Sequence, residues 1–114
     1  MKGNFVTENY TYFADLATQL TEIPADTIVS RTLYSGDEIK VILFGFAPGQ
    51  ELSEHTAARP AILHFLRGEA KLTLGGETQT AKAGSFVRMA PRLPHSISAE
   101  SEVVMLLLMF ATGH

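Results

Sequence analysis

From Thr27 onward, short bursts of β-branched, aromatic and aliphatic residues alternate with turn residues. Thr27–Tyr34 (TIVSRTLY) and Glu38–Phe46 (EIKVILFGF) flank Ser35-Gly36-Asp37, and this pattern predicts a β-hairpin. Ala47-Pro48-Gly49-Gln50 ends the second strand, and a short segment then leads to His55. Strand Ala61–Leu66 follows and Gly68 breaks it before Glu69–Leu74; Gly75-Gly76 predicts a tight turn into Glu77–Lys82. Ser85–Met89, a loop holding Pro91 and Pro94, His95–Ala99 and Val103–Phe110 complete the series. Roughly eight or nine short strands, punctuated about every ten residues, predict an all-β sandwich or barrel. No long helical pattern follows any strand, which argues against a parallel βαβ sheet.

Residues 1–25 read differently, as a segment packing on a barrel formed by residues 26–114. Phe13, Leu16, Ala17 and Leu20 recur at i, i+3, i+4 and i+7, which predicts a short helix or turn that Pro24 stops. Ala61–Leu66 and Val103–Phe110 are nearly continuous apolar runs, without the alternation of a strand that has one wet face. Both faces of each need cover, and a chain this small offers little material for a second layer. A homodimer that buries the outer sheet on its own copy is therefore expected. His64 falls on that outer face, where it reads as a satisfied interface histidine. His114 is terminal and expected to be disordered.

The 114 residues suffice for one core-forming domain, 46% hydrophobic and 18% charged, with a net charge of -3. No basic patch suits a phosphate backbone, so no nucleic-acid partner is expected. The absence of cysteine removes disulfides, thiolate metal sites and thiol nucleophiles. The opening MKGNFVTENY carries no apolar signal core, and Val103–Thr112 is about half the roughly 20 residues a membrane helix needs. A cytoplasmic protein with no membrane partner is expected.

Two segments carry a family resemblance: PGQELSEHTAARPAILHFLRGEAKLTLGGE from Pro48 to Glu77, and AGSFVRMAPRLPHSISA from Ala83 to Ala99. Gly49, His55 and Gly68 match the first cupin motif, G-x5-H-x-H-x3,4-E-x6-G, and Gly84 and His95 match the second, G-x5-P-x-G-x2-H-x3-N. The chain thus resembles a small single-domain bacterial cupin of the RmlC-like superfamily. The resemblance implies a double-stranded β-helix, the jelly-roll barrel. It also implies a metal site at the barrel mouth, with two His and a Glu from the first motif and a His from the second. Carried over, those positions are His55, Ala57, Ala61 and His95, so the metal motif is degenerate. Ala90, Arg92 and Ala99 replace the Pro, Gly and Asn of the second motif.

Alanine has no donor atom, and two imidazoles completed by water would hold a divalent ion loosely. Neither Glu54, on the opposite face from His55, nor His64 replaces a lost ligand. His55 and His95 are then expected either to hydrogen-bond a ligand, to form a weak metal site, or to persist as satisfied remnants of the fold. Arg88 and Arg92 are candidate clamps for a carboxylate or phosphate, and each also reads as a solvated strand-end arginine. Arg59-Pro60 stands where the first motif often carries acidic or polar residues. Phe65 and Met89 are candidate ligand-binding wall residues, while Met105 and Met109 suit either core or pocket. Loss of two polar ligands predicts a more apolar pocket for a small molecule, with no cofactor. The competing readings are a metal-dependent dioxygenase or isomerase using His55 and His95 with Fe, Mn, Ni or Zn, and a dimerisation scaffold. No catalytic residue is assigned.

Overall fold

The computed structural model describes residues 4–6 and 9–111; His114 lies outside them. Eleven strands are present among the described residues. The first two, β1 (Asn4–Val6) and β2 (Thr11–Phe13), pair as a separate hairpin. The barrel comprises β3 (Ile28–Ser35), β4 (Ile39–Phe46), β5 (Glu51–His55), β6 (Ala61–Arg67), β7 (Glu69–Leu74), β8 (Glu77–Lys82), β9 (Phe86–Met89), β10 (His95–Ala99) and β11 (Val103–Phe110). Two antiparallel sheets result, ordered β3-β4-β11-β6-β9 and β5-β10-β7-β8. The expected hairpins at Gly36 and at Gly75-Gly76 are formed, with Ser35 opposite Lys40 and Leu74 opposite Glu77. β11 returns to lie between β4 and β6, so the last strand seals the middle of the larger sheet. The fold is the all-β jelly-roll barrel.

Alternation along the strands places the core. Ala61, Leu63 and Phe65 of β6 face Ile97 and Ala99 of β10, with Leu72, Phe46, Val103 and Met105 filling the space between the sheets. At Gly68 the chain leaves the larger sheet and enters the smaller one. Its φ of +89° is a left-handed conformation, and a Cβ there would strike the Glu102 carbonyl. Only glycine meets both conditions.

The outer face of the larger sheet is the second apolar surface that the sequence demands. Leu33, Leu43, Val104 and Leu106 are buried there beneath Phe13, Leu16, Leu20 and Ile23 of the N-terminal segment. Gly45 permits this close seating, since a Cβ on it would lie 2.6 Å from Ile23 Cδ1. The Arg31 guanidinium also ties the segment down by donating to the Gln19 carbonyl at 3.0 Å.

The short helix or turn expected from Phe13 to Leu20 is a single 3-10 turn, Leu16–Gln19, with the Asp15 carboxylate accepting from the Ala17 N–H. The segment is too short to propagate a helix, and β2 and the extended chain before Pro24 supply the remaining apolar contacts. The premise that the chain offers little material for a second layer changes, because its own N-terminal segment covers β4 and β11. Cover is thinner toward β9, where Phe86 is 64% exposed and His64 half-buried. No helix among the described residues is long and apolar enough to cross a membrane.

Candidate functional site

His95 opens β10 and pairs with His55, the last residue of β5. Between this pair and the Ile97–Leu52 pair, three steps along β5 oppose two along β10, a β-bulge. Without the extra residue His55 would not share a face with Leu52. With it, both imidazoles turn to the barrel mouth, as bulges beside sites often arrange. The ring centroids lie 4.2 Å apart at an interplanar angle of 57°. His95 is 7% exposed and His55 stands at the rim.

Each ring is fixed in the same way. His55 Nδ1 lies 2.9 Å from the Ser53 carbonyl, and His95 Nδ1 lies 2.9 Å from the Leu93 carbonyl. A carbonyl only accepts, so each Nδ1 carries the proton and donates it. In the neutral rings both Nε2 atoms are then left with free lone pairs. Two acceptors therefore converge at one mouth, and neither has a protein partner among the described residues.

The cavity they line measures about 70 Å³. Ala57, Ala61, Ala90 and Leu93 supply its aliphatic walls, joined by Met89, Leu107 and Met109, and Arg59 is the remaining lining residue. The odd-numbered run His55, Ala57, Arg59, Ala61 thus faces inward across the whole β5–β6 connection. The Arg92 N–H donates to the Ala57 carbonyl at 2.7 Å, closing the loop after β9 over this connection. Arg92 does so with φ at +67°, in the backbone position where the motif has glycine.

Of the residues expected at the site, His55, His95 and Met89 come together. Arg88 and Phe65 do not. Met89 points inward opposite Ala61, so Arg88, one residue earlier, lies opposite Ile62 on the outer face. Phe65 is on the inner face but four residues beyond Ala61, about 13 Å along the strand, and is wholly buried in the core. Arg92 is exposed and serves the loop rather than the cavity. Arg59 is the residue that sequence reasoning underrated, although its two-residue spacing from Ala57 and Ala61 is a legible signal.

The lining does not fit a catalytic metal ion. Ala57 and Ala61 present methyl groups where the resemblance would put donors, and no carboxylate lines the cavity. Among the described residues no cluster of three or more His, Asp, Glu or Cys could hold a metal. A divalent cation would also meet the Arg59 guanidinium within the same small space. The chemistry on offer is two imidazole acceptors, one guanidinium and a thioether-and-methyl wall.

A second cavity, of about 390 Å³, lies between the N-terminal segment and the outer face of β3 and β4. Tyr10, Phe13, Leu33, Tyr34 and Val41 line it, with Glu38 its one charged residue. It is the larger space, but no histidine or arginine reaches it.

Comparison with known proteins agrees with the fold. A conserved protein of unknown function from Streptococcus pyogenes superposes with a TM-score of 0.81 at 26% identity, covering 100% of this chain and 98% of its own. A cupin superfamily protein from Desulfitobacterium hafniense gives 0.79 at 23% identity, with 83% and 86% covered. The DMSP lyase DddQ from Ruegeria pomeroyi gives 0.71 at 18% identity, with 76% and 48% covered. No curated protein matches the chain by sequence. The Cupin domain family model matches residues 42–110, more than half of the chain, from β4 to the end of β11. With the barrel, the motif glycines and the paired histidines in place, the chain belongs to the cupin domain family.

Proposed function

We propose that this cupin binds a small organic molecule at the mouth between His55 and His95, without a tightly held catalytic metal. The observation that carries the reading is the common anchoring of the two rings. Both Nδ1–H groups are committed to backbone carbonyls, both rings line one cavity, and among the described residues no third metal-ligating group joins them. That arrangement accepts hydrogen bonds from a ligand and offers a metal only two nitrogens. The fold itself assigns no activity, since a lyase and a protein of unknown function share it.

Metal analysis of protein purified without chelator tests the reading. Well under one-tenth of an equivalent of Fe, Mn, Ni or Zn is expected. Near one tightly held equivalent would establish the competing metal-dependent enzyme instead. The proposed setting is cytoplasmic, and the proposed homodimer would use the side of the outer sheet near β9, where Phe86 is exposed. Light scattering of wild type and Phe86→Glu tests this: a dimer that becomes a monomer supports it, and a wild-type monomer refutes it.

A further inference from the structure

We infer that the ligand is a short hydroxycarboxylate, or the hydroxycarboxylate end of a longer molecule. Arg59 anchors the carboxylate, and one of the two imidazoles, His55 or His95, accepts from the hydroxyl while the other ring lies against it. The inference rests on the reading of the mouth as an organic-ligand site and adds the chemical class.

The argument begins with charge. Arg59 is half-buried in the cavity wall, no acidic residue lines that cavity, and no carboxylate pairs with Arg59 among the described residues. A guanidinium kept partly out of water favours an anion, and its forked N–H groups match a carboxylate's two oxygens. Size comes next. At about 70 Å³ the cavity is far smaller than the roughly 300–1,000 Å³ of typical ligand pockets, so the enclosed part of the ligand is small.

The imidazoles set the third condition. In the neutral rings each Nε2 can only accept, so the group facing them must donate, as a hydroxyl does and a second carboxylate does not. The rest of the wall is methyl, thioether and isobutyl, which suits a carbon skeleton and offers no further polar partner.

Glycolate, acetate and glycolamide separate these terms, with binding followed through the imidazole ¹⁵N resonances of His55 and His95 and by calorimetry. Glycolate is expected to bind and to move both rings. Acetate, without the hydroxyl, should bind about fivefold more weakly, in line with one lost hydrogen bond. Glycolamide should bind at least about tenfold more weakly, as should glycolate to Arg59→Gln, since each removes a charge-assisted contact. Arg59→Lys should recover part of the loss, which a merely structural role would not predict. Glycolamide binding as tightly as glycolate while still moving both rings would overturn the carboxylate assignment and leave the organic-ligand site standing. Acetate binding as tightly as glycolate would overturn the hydroxyl assignment, and unaltered glycolate binding by Arg59→Gln would remove Arg59 as the anchor. If none of the three probes moves either ring, both the inference and the reading beneath it fail.

Discussion

Two of the molecule's cavities differ sharply in character. One, between the N-terminal segment and the outer sheet face, is about 390 Å³ and lined largely by tyrosine, phenylalanine and aliphatic side chains. The other, at the mouth of the barrel, is about 70 Å³ and holds two anchored imidazoles and a guanidinium. The large space records how an added segment seats on an apolar sheet, filling it at Gly45 and Leu43 and leaving room nearer Tyr10 and Tyr34. The small one is built by devices that aim side chains: a bulge in β5, two Nδ1–H bonds to carbonyls, and a loop pinned at Ala57. Convergence of donors and acceptors, rather than volume, marks the chemistry.

Substitutions that touch one region and spare the other sharpen this contrast. The largest effect is expected from Leu43→Ala, which empties a fully buried position beneath the N-terminal segment. A loss of about 2–5 kcal/mol is expected in urea unfolding, with the imidazole resonances of the folded protein unchanged. Altered His55 and His95 signals would mean that the two regions are coupled.

Restoring donors at the mouth is the converse experiment. Ala57→His with Ala61→Glu should raise affinity for a divalent ion such as Zn at least about a hundredfold over wild type, roughly 2.7 kcal/mol. Adding Arg59→Ala should raise it further by removing a like charge. No gain in either variant would show that positions 57 and 61 do not reach the imidazole pair.

Gly45→Val tests the seating of the N-terminal segment. The new side chain must displace Ile23 and Leu20, at an expected cost of about 1–3 kcal/mol. Faster proteolysis within residues 14–25 should accompany it, with glycolate affinity kept within about twofold. The smallest effect is expected at Arg92, whose left-handed backbone favours glycine. Arg92→Gly should stabilise by up to about 1 kcal/mol in thermal unfolding, and a loss would show that the Arg92 side chain contributes more than its backbone strain costs.

Much of the barrel was legible because strand grammar is local. Turn residues at Gly36 and Gly75-Gly76 set hairpins that the structure forms, and the unbroken apolar run of β11 is covered on both faces, as its pattern demanded. Which face residues 1–25 cover was not legible. The spacing of Phe13, Leu16 and Leu20 fits a helix, and it equally fits one 3-10 turn between extended pieces. The site divides in the same way. His55 and His95 were placed by motif and Met89 by its residue type alone, whereas Arg88 was lost to a one-residue change of face and Phe65 to distance along its strand. Arg59 sits in a connection without regular strand structure, so its inward direction depends on how the chain is held by the Arg92–Ala57 bond.

The central claim is that the mouth is built for an organic anion and not for a metal. The most direct test is one competition, read on the imidazole ¹⁵N resonances of the metal-free protein. The account predicts Nδ1–H tautomers for both neutral rings and Nε2 shifts that saturate with glycolate and persist when one equivalent of Zn is added. Stoichiometric Zn binding at both Nε2 atoms that displaces glycolate would contradict it.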